Sequence, residues 1–120
     1  MKNQIVWCDI PVTNLDRALK FYGAVLDAKI EKQSFPGCVF GLLPHEENSV
    51  AGCIVEMEDR KPSSDGPLIY LNCDGRLDAA VEAVGKTGGK VLQPKHSIGP
   101  HGFRAIILDS EGNRIALHSR

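Results

Sequence analysis

LIYLNCDGRLDAAVEAVGKTGGKVL, residues 68–92, repeats the pattern of WCDIPVTNLDRALKFYGAVLDAKI, residues 7–30. Each holds an apolar strand, a turn, a Leu-Asp-x-Ala-Leu/Val helix opening and a second short strand. The strands are offset by 61 residues (Trp7 to Leu68) and the helix openings by 62 (Leu15 to Leu77). One residue inserted in the Asp74-Gly75-Arg76 turn accounts for the difference. Self-similarity of this length marks a duplicated unit. The chain therefore reads as one domain, 1–120, made of repeat 1 (1–57), a linker (58–67) and repeat 2 (68–120).

The chain has 120 residues, 42% hydrophobic and 24% charged, which suits one soluble domain. At this size roughly two-thirds of the unfolded surface is buried, enough for a core without disulfides. A formal net charge of −1 and the absence of a Lys/Arg run argue against nucleic acid. No apolar run reaches the roughly 20 residues of a membrane span. Cys8, Cys38, Cys53 and Cys73 form no C-x-x-C pair, and no signal peptide precedes them, so a cytoplasmic setting is expected. Cys8, Cys53 and Cys73 alternate with aliphatic residues and read as small buried hydrophobes.

Outward from the repeat, residues 4–12 alternate as a half-buried strand, with Val6, Cys8, Ile10 and Val12 on one face and Trp7 and Asp9 on the other. Thr13 or Asn14 is expected to cap a helix buried through Leu15, Ala18, Leu19, Tyr22, Val25 and Leu26. Strands are expected at 29–33, 38–43 and 50–57, with a polar hairpin loop at 44–49. In the second copy Ile69, Leu71 and Cys73 share a face opposite Leu68, Tyr70 and Asn72. Asp74 is the expected helix cap, and Gly88-Gly89 the helix end. A loop over 94–102 leads to strands at 103–108 and 114–118, joined by the turn Asp109-Ser-Glu-Gly-Asn113. The fold class is α+β, two β-α-β-β-β modules forming a curved mixed sheet around a cleft.

Leu-Asp-Arg-Ala-Leu-Lys-Phe-Tyr at 15–22, Gly-Gly-Lys-Val-Leu at 88–92 and Asp-Ser-Glu-Gly-Asn-Arg-Ile-Ala-Leu at 109–117 resemble the glyoxalase/bleomycin-resistance/dioxygenase (vicinal oxygen chelate) superfamily. The resemblance implies a homodimer and an activity among isomerases, lyases, dioxygenases, thiol transferases or metal-free drug binders. It also implies that metal-dependent members draw ligands from the first and last strand of each repeat. The matching positions are Trp7, Leu68 and Ala116, with the fourth near Gly52. Indole, isobutyl, methyl and hydrogen are not ligands, whereas a divalent catalytic centre needs about three His, carboxylate or Cys donors.

No metal or other cofactor is therefore expected, and a shifted metal site would have to recruit Glu56 or His118. Strand phase assigns to the cleft Trp7, Leu68, Tyr70 and Ala116, with Asp9, Asn72, Glu56 and His118 as its polar groups. That composition suits a small amphipathic or aromatic ligand. In the competing reading Trp7 and Tyr70 fill the cleft, leaving a structural or regulatory dimer subunit. His96 and His101 read as solvated loop residues, His45 has no nucleophile beside it, and no catalytic residue is assigned.

Overall fold

The computed structural model describes residues 3–120, the side chain of Phe35 excepted; residues 1 and 2 of the first repeat lie outside the described residues. Strand β1 (Trp7–Val12) runs into helix α1 (Leu15–Leu26), followed by β2 (Lys32–Phe35), β3 (Cys38–Leu42) and β4 (Ala51–Glu56). The second half repeats this order as β5 (Ile69–Asn72), α2 (Leu77–Lys86), β6 (Lys90–Ser97), β7 (Phe103–Leu108) and β8 (Arg114–Ser119). The architecture is α+β, two four-stranded mixed sheets ordered β1-β4-β3-β2 and β5-β8-β7-β6, with β1/β4 and β5/β8 parallel. The expected single curved sheet is divided in two: β1 and β5 are edge strands that share no ladder.

Helix α1 starts where Asn14, in extended conformation, accepts the Arg17 backbone N–H on its side-chain oxygen. A second cap comes from β4, since Glu56 Oε2 accepts the Leu15 N–H at 3.0 Å. The helix buries Leu15, Ala18, Phe21, Tyr22 and Val25. Phe21, which the single-stripe reading left out, is fully buried, because α1 packs on α2 as well as on its own sheet. Gly41 on β3 permits that packing; a Cβ there would stand 2.3 Å from a Leu19 methyl. Helix α2 opens at Arg76 and not at Asp74, whose carboxylate instead accepts the Arg120 backbone N–H. Strand β6 extends through Pro94 to Ser97, where a loop was expected. The register shifts around Gln93 and His96, and a bulge is where a strand tolerates proline.

One apolar core contains residues from both helices and both sheets, including Ile10, Val12, Tyr22, Ile54, Leu77, Val84, Ile107 and Leu117. The halves are also joined by polar contacts from the β7–β8 turn. Asp109, 3% exposed, accepts the Tyr22 hydroxyl and the Asn113 amide on Oδ2, and the backbone N–H groups of Glu111 and Asn113 on Oδ1. Asn113 also donates to the Pro11 carbonyl at 2.8 Å and accepts the Ser63 N–H at 3.1 Å. Glu111 accepts the backbone N–H groups of Thr13 and Asn14 and both Nε and Nη2 of Arg17. The turn of one module thus caps the β1–α1 junction of the other.

Asp109→Ala leaves the Tyr22 hydroxyl, the Asn113 amide and two backbone N–H groups without their acceptor in a buried site. It should destabilise by about 3–5 kcal/mol, and Tyr22→Phe by about 1–2 kcal/mol. Denaturant midpoints measure both, and an Asp109→Ala loss below about 1 kcal/mol would contradict this account.

Burial alone would raise the Glu111 pKa, but hydrogen bonds from Arg17, Asn14, Thr13 and Ser110 outweigh it and hold the carboxyl at about 2, against 4.5 ordinarily. A depressed folded pKa contributes stability that is complete above the unfolded value and is lost as pH falls through the folded one. Melting temperature should therefore drop as pH falls from 4.5 towards 2, and Glu111→Gln should flatten that part of the profile. Parallel profiles for the two proteins would count against the clamp.

Candidate functional site

On the face of the first sheet turned away from the helices, the Trp7 indole N–H donates to Asp9 Oδ1 at 2.7 Å, and the Cys53 thiol donates to the same oxygen at 3.3 Å. Trp7 is 46% exposed, so it neither fills a closed cleft nor needs burial because it is large. The register Cys8↔Gly52, Asp9↔Cys53 fixes the phase of β4. Cys53 stands beside Asp9, while Gly52, Ile54 and Glu56 face the helices. Glu56 is therefore not a cleft residue; its carboxylate is the second cap of α1. Burial first, then Asp9, push the Cys53 thiol up to about 12.

The corresponding face of the second sheet carries Tyr70, Asn72, Ala116 and His118, with Tyr70 beside Ala116 and Asn72 beside His118 in register. Tyr70 is 45% exposed and Ala116 fully buried; Leu68 lies just ahead of β5 and is half-buried. His118 Nε2 stands 2.6 Å from the His101 carbonyl, which can only accept, so that nitrogen carries the proton. The next strand adds Arg104, bonded to His96 Nε2 and to the Tyr70 hydroxyl. Arg104 was missed in the sequence, where one charged residue within Phe-Arg-Ala-Ile-Ile-Leu was its signal. His96 is correspondingly a strand residue.

Between the edge strands lies a groove of about 870 Å³. Its apolar wall is Cys8 and Ile10 of β1, Leu26 of α1, Leu43, Val50, and Ile69 and Leu71 of β5; its polar groups include Asp27, His45, Glu46, Ser49, Tyr70 and Asn72. Of the eight expected site residues, Tyr70 and Asn72 line this groove, whereas Trp7, Asp9, Glu56, Leu68, Ala116 and His118 do not. The groove lies on the helix-facing side of β1, the side that alternation assigns to packing alone. It exists because neither edge strand has a partner to close on. Burial and Asp9 push the Cys8 thiol up, so the sulfur in its wall is not an activated nucleophile. Among the described residues no Lys or Arg lines it, and Asp27 and Glu46 give it an acidic rim.

Trp7, Leu68 and Ala116, with Gly52 near the fourth place, are the positions implied as metal ligands, and none of their side chains is a donor. Among the described residues no three His, Cys, Asp or Glu side chains converge.

A family model described as Glyoxalase/Bleomycin resistance protein/Dioxygenase superfamily matches residues 4–117. A glyoxylase-like domain-containing protein of Didymella fabae is 33% identical over 135 aligned residues, covering 100% of this chain and 96% of that protein. Among solved structures, a glyoxalase/bleomycin resistance protein from Albidiferax ferrireducens T118 superposes with a TM-score of 0.76 at 17% identity, over 98% of this chain and 99% of that one. A genomically encoded fosfomycin resistance protein from Listeria monocytogenes superposes with a TM-score of 0.68 at 15% identity, over 100% of this chain and 95% of that one.

Since Asp9 helps to keep Cys53 protonated, Asp9→Asn should accelerate alkylation of Cys53 by iodoacetamide at mildly alkaline pH. Mass spectrometry of the labelled peptide gives the rate. An unchanged or slower rate would show that Asp9 has no hold on the thiol.

Proposed function

The chain belongs to the glyoxalase/bleomycin resistance protein/dioxygenase superfamily, and from that premise we propose that it binds a small amphipathic or aromatic molecule between its two modules without a metal ion. The observation that carries this reading is the groove of about 870 Å³, within the ~300–1,000 Å³ of small-molecule sites, with an apolar wall and a few polar groups at its rim. The carboxylates of Asp27 and Glu46 at its rim favour a neutral or amine-bearing apolar compound over an acid. The metal-free part rests on the donor set, in which indole, isobutyl and methyl groups occupy the positions that ligands would need. No nucleic acid or membrane partner enters this reading. Among the described residues no helix is long and apolar enough to cross a membrane. We place the protein in the cytoplasm as a homodimer, a state that light scattering checks.

Protein purified from its native host should release a small organic molecule on denaturation and hold less than stoichiometric metal by elemental analysis. With a defined probe, 2-phenylethylamine should raise the melting temperature of the wild type. Ala28, two residues beyond the end of α1, also lines the groove, and Ala28→Trp, which builds an indole into its wall, should abolish the shift while keeping the fold. One equivalent of metal, or a shift unaffected by Ala28→Trp, would count against the proposal.

A further inference from the structure

We propose that the helix-averted face of the second sheet holds an oxyanion site centred on Arg104, which borders the groove at Tyr70 and takes the carboxylate or phosphate of a small organic acid. Strand β7 turns Ile107 into the core, and Arg104 by alternation to the other face. There it lies beside His118 of β8 and His96 of β6 in register. Its Nε–H donates to His96 Nε2 at 3.0 Å, one Nη1–H donates to the Tyr70 hydroxyl, and its guanidinium carbon sits 5.9 Å from the centre of the Tyr70 ring. A guanidinium has five N–H donors. Two are spent on neutral acceptors, and the other three have no protein acceptor among the described residues.

The partners are as informative as the vacancy. His96 Nδ1 lies 2.9 Å from the Pro94 carbonyl and must carry a proton to donate to it, while Nε2 accepts from Arg104; the ring is therefore neutral. Tyr70 is a neutral phenol. No carboxylate forms an ion pair with Arg104 among the described residues, and Asp74, at the end of β5, is engaged by the Arg120 N–H at 2.8 Å. The structural arginines of this chain look different. Arg17 spends Nε and Nη2 on Glu111, and Arg76 donates to the Val25 carbonyl at the end of α1. Of these three only Arg17 is paired with a carboxylate; Arg76 is spent on a helix end, whereas Arg104 is held on an open sheet face by two side chains that leave its charge uncompensated. A fork immobilised in advance loses little rotamer entropy when it binds, and planar oxyanions match it in bidentate fashion. The half-exposed Tyr70 ring offers a flat wall beside the fork, which favours an aromatic acid.

The test is an NMR titration of the full chain with benzoate, its neutral analogue benzamide, and inorganic phosphate, following backbone amides and the arginine Nε–H signals. Benzoate should shift the Arg104 Nε–H and the Tyr70 and His118 amides saturably, and bind roughly tenfold or more tighter than benzamide. Arg104→Gln should remove that preference without loss of spectral dispersion. Arg104→Lys, which keeps the charge but not the fork, should fall between and carries the test if Arg104→Gln does not fold. Displacement of benzoate by phosphate supports the shared oxyanion chemistry, and binding of benzoate that phosphate does not displace narrows the site to carboxylates. The proposal is overturned if benzoate and benzamide bind alike, if neither anion shifts these signals, or if Arg104→Lys binds benzoate as wild type does. Because 2-phenylethylamine carries no anion and its melting shift is scored against Ala28→Trp in the groove, failure here leaves the proposed function standing.

Discussion

The buried carboxylate of Asp109 is the contact on which the relation between the two modules depends. One β-α-β-β-β unit can cover only one face of its sheet, and ~60 residues bury too little surface to be comfortable alone. Pairing two units solves this only if their helices share a core, and the Asp109–Tyr22 bond fastens the last hairpin of one unit to the helix of the other. Four donors converge on that carboxylate, so it is buried without being orphaned. Burial keeps the Tyr22 hydroxyl protonated and able to donate, an effect that Asp109 reinforces. Glu111, two residues on, repeats the device at the surface of the same junction through Arg17.

Joining the modules through helices and a hairpin has a structural consequence at the strand edges. The ladder hydrogen bonds of β1 go to β4 and those of β5 to β8, so nothing draws the two edges into one sheet. The space between them is lined by side chains that also pack on the core, Ile10, Ile69 and Leu71 among them. A groove of this origin has a rigid apolar wall, because the residues that form it are fixed by the same burial that holds the domain together. Its polar rim comes instead from the loop 44–49 and the end of α1, where side chains answer to solvent.

Much of this was legible in the sequence because it depends on local periodicity. Both helices, a cap at Thr13 or Asn14 and the 109–113 turn follow from patterns a few residues long, and the duplication from their recurrence. The phase of β4 was not. Ala-Gly-Cys-Ile-Val offers no contrast between polar and apolar positions, so which face Glu56 takes is decided by its pairing with a strand more than 40 residues away. Strand β6 hid behind Pro94, which reads as a breaker unless the bulge is known. Trp7 shows a different limit: size predicts how much surface a side chain could bury, not that it must. The groove was invisible for a simpler reason, since Cys8, Ile10, Ile69 and Leu71 carry the pattern of core residues and become lining only because two edges fail to meet.

The open faces of the two sheets carry polar networks that differ in kind. Asp9 is the one carboxylate within β1, and its Oδ1 already accepts an indole N–H and a thiol. Those donors belong to Trp7 and Cys53, residues a metal site would have to displace. On the second sheet Arg104 is bonded to the His96 imidazole and the Tyr70 phenol, whose ring stands edge-on to that of His118. Neither network supports the fold's core, which lies on the opposite side of each sheet. The scaffold therefore holds its shape through Asp109, Glu111 and the helix pair, and its exposed sheet faces are free to carry different chemistry without altering the packing beneath them.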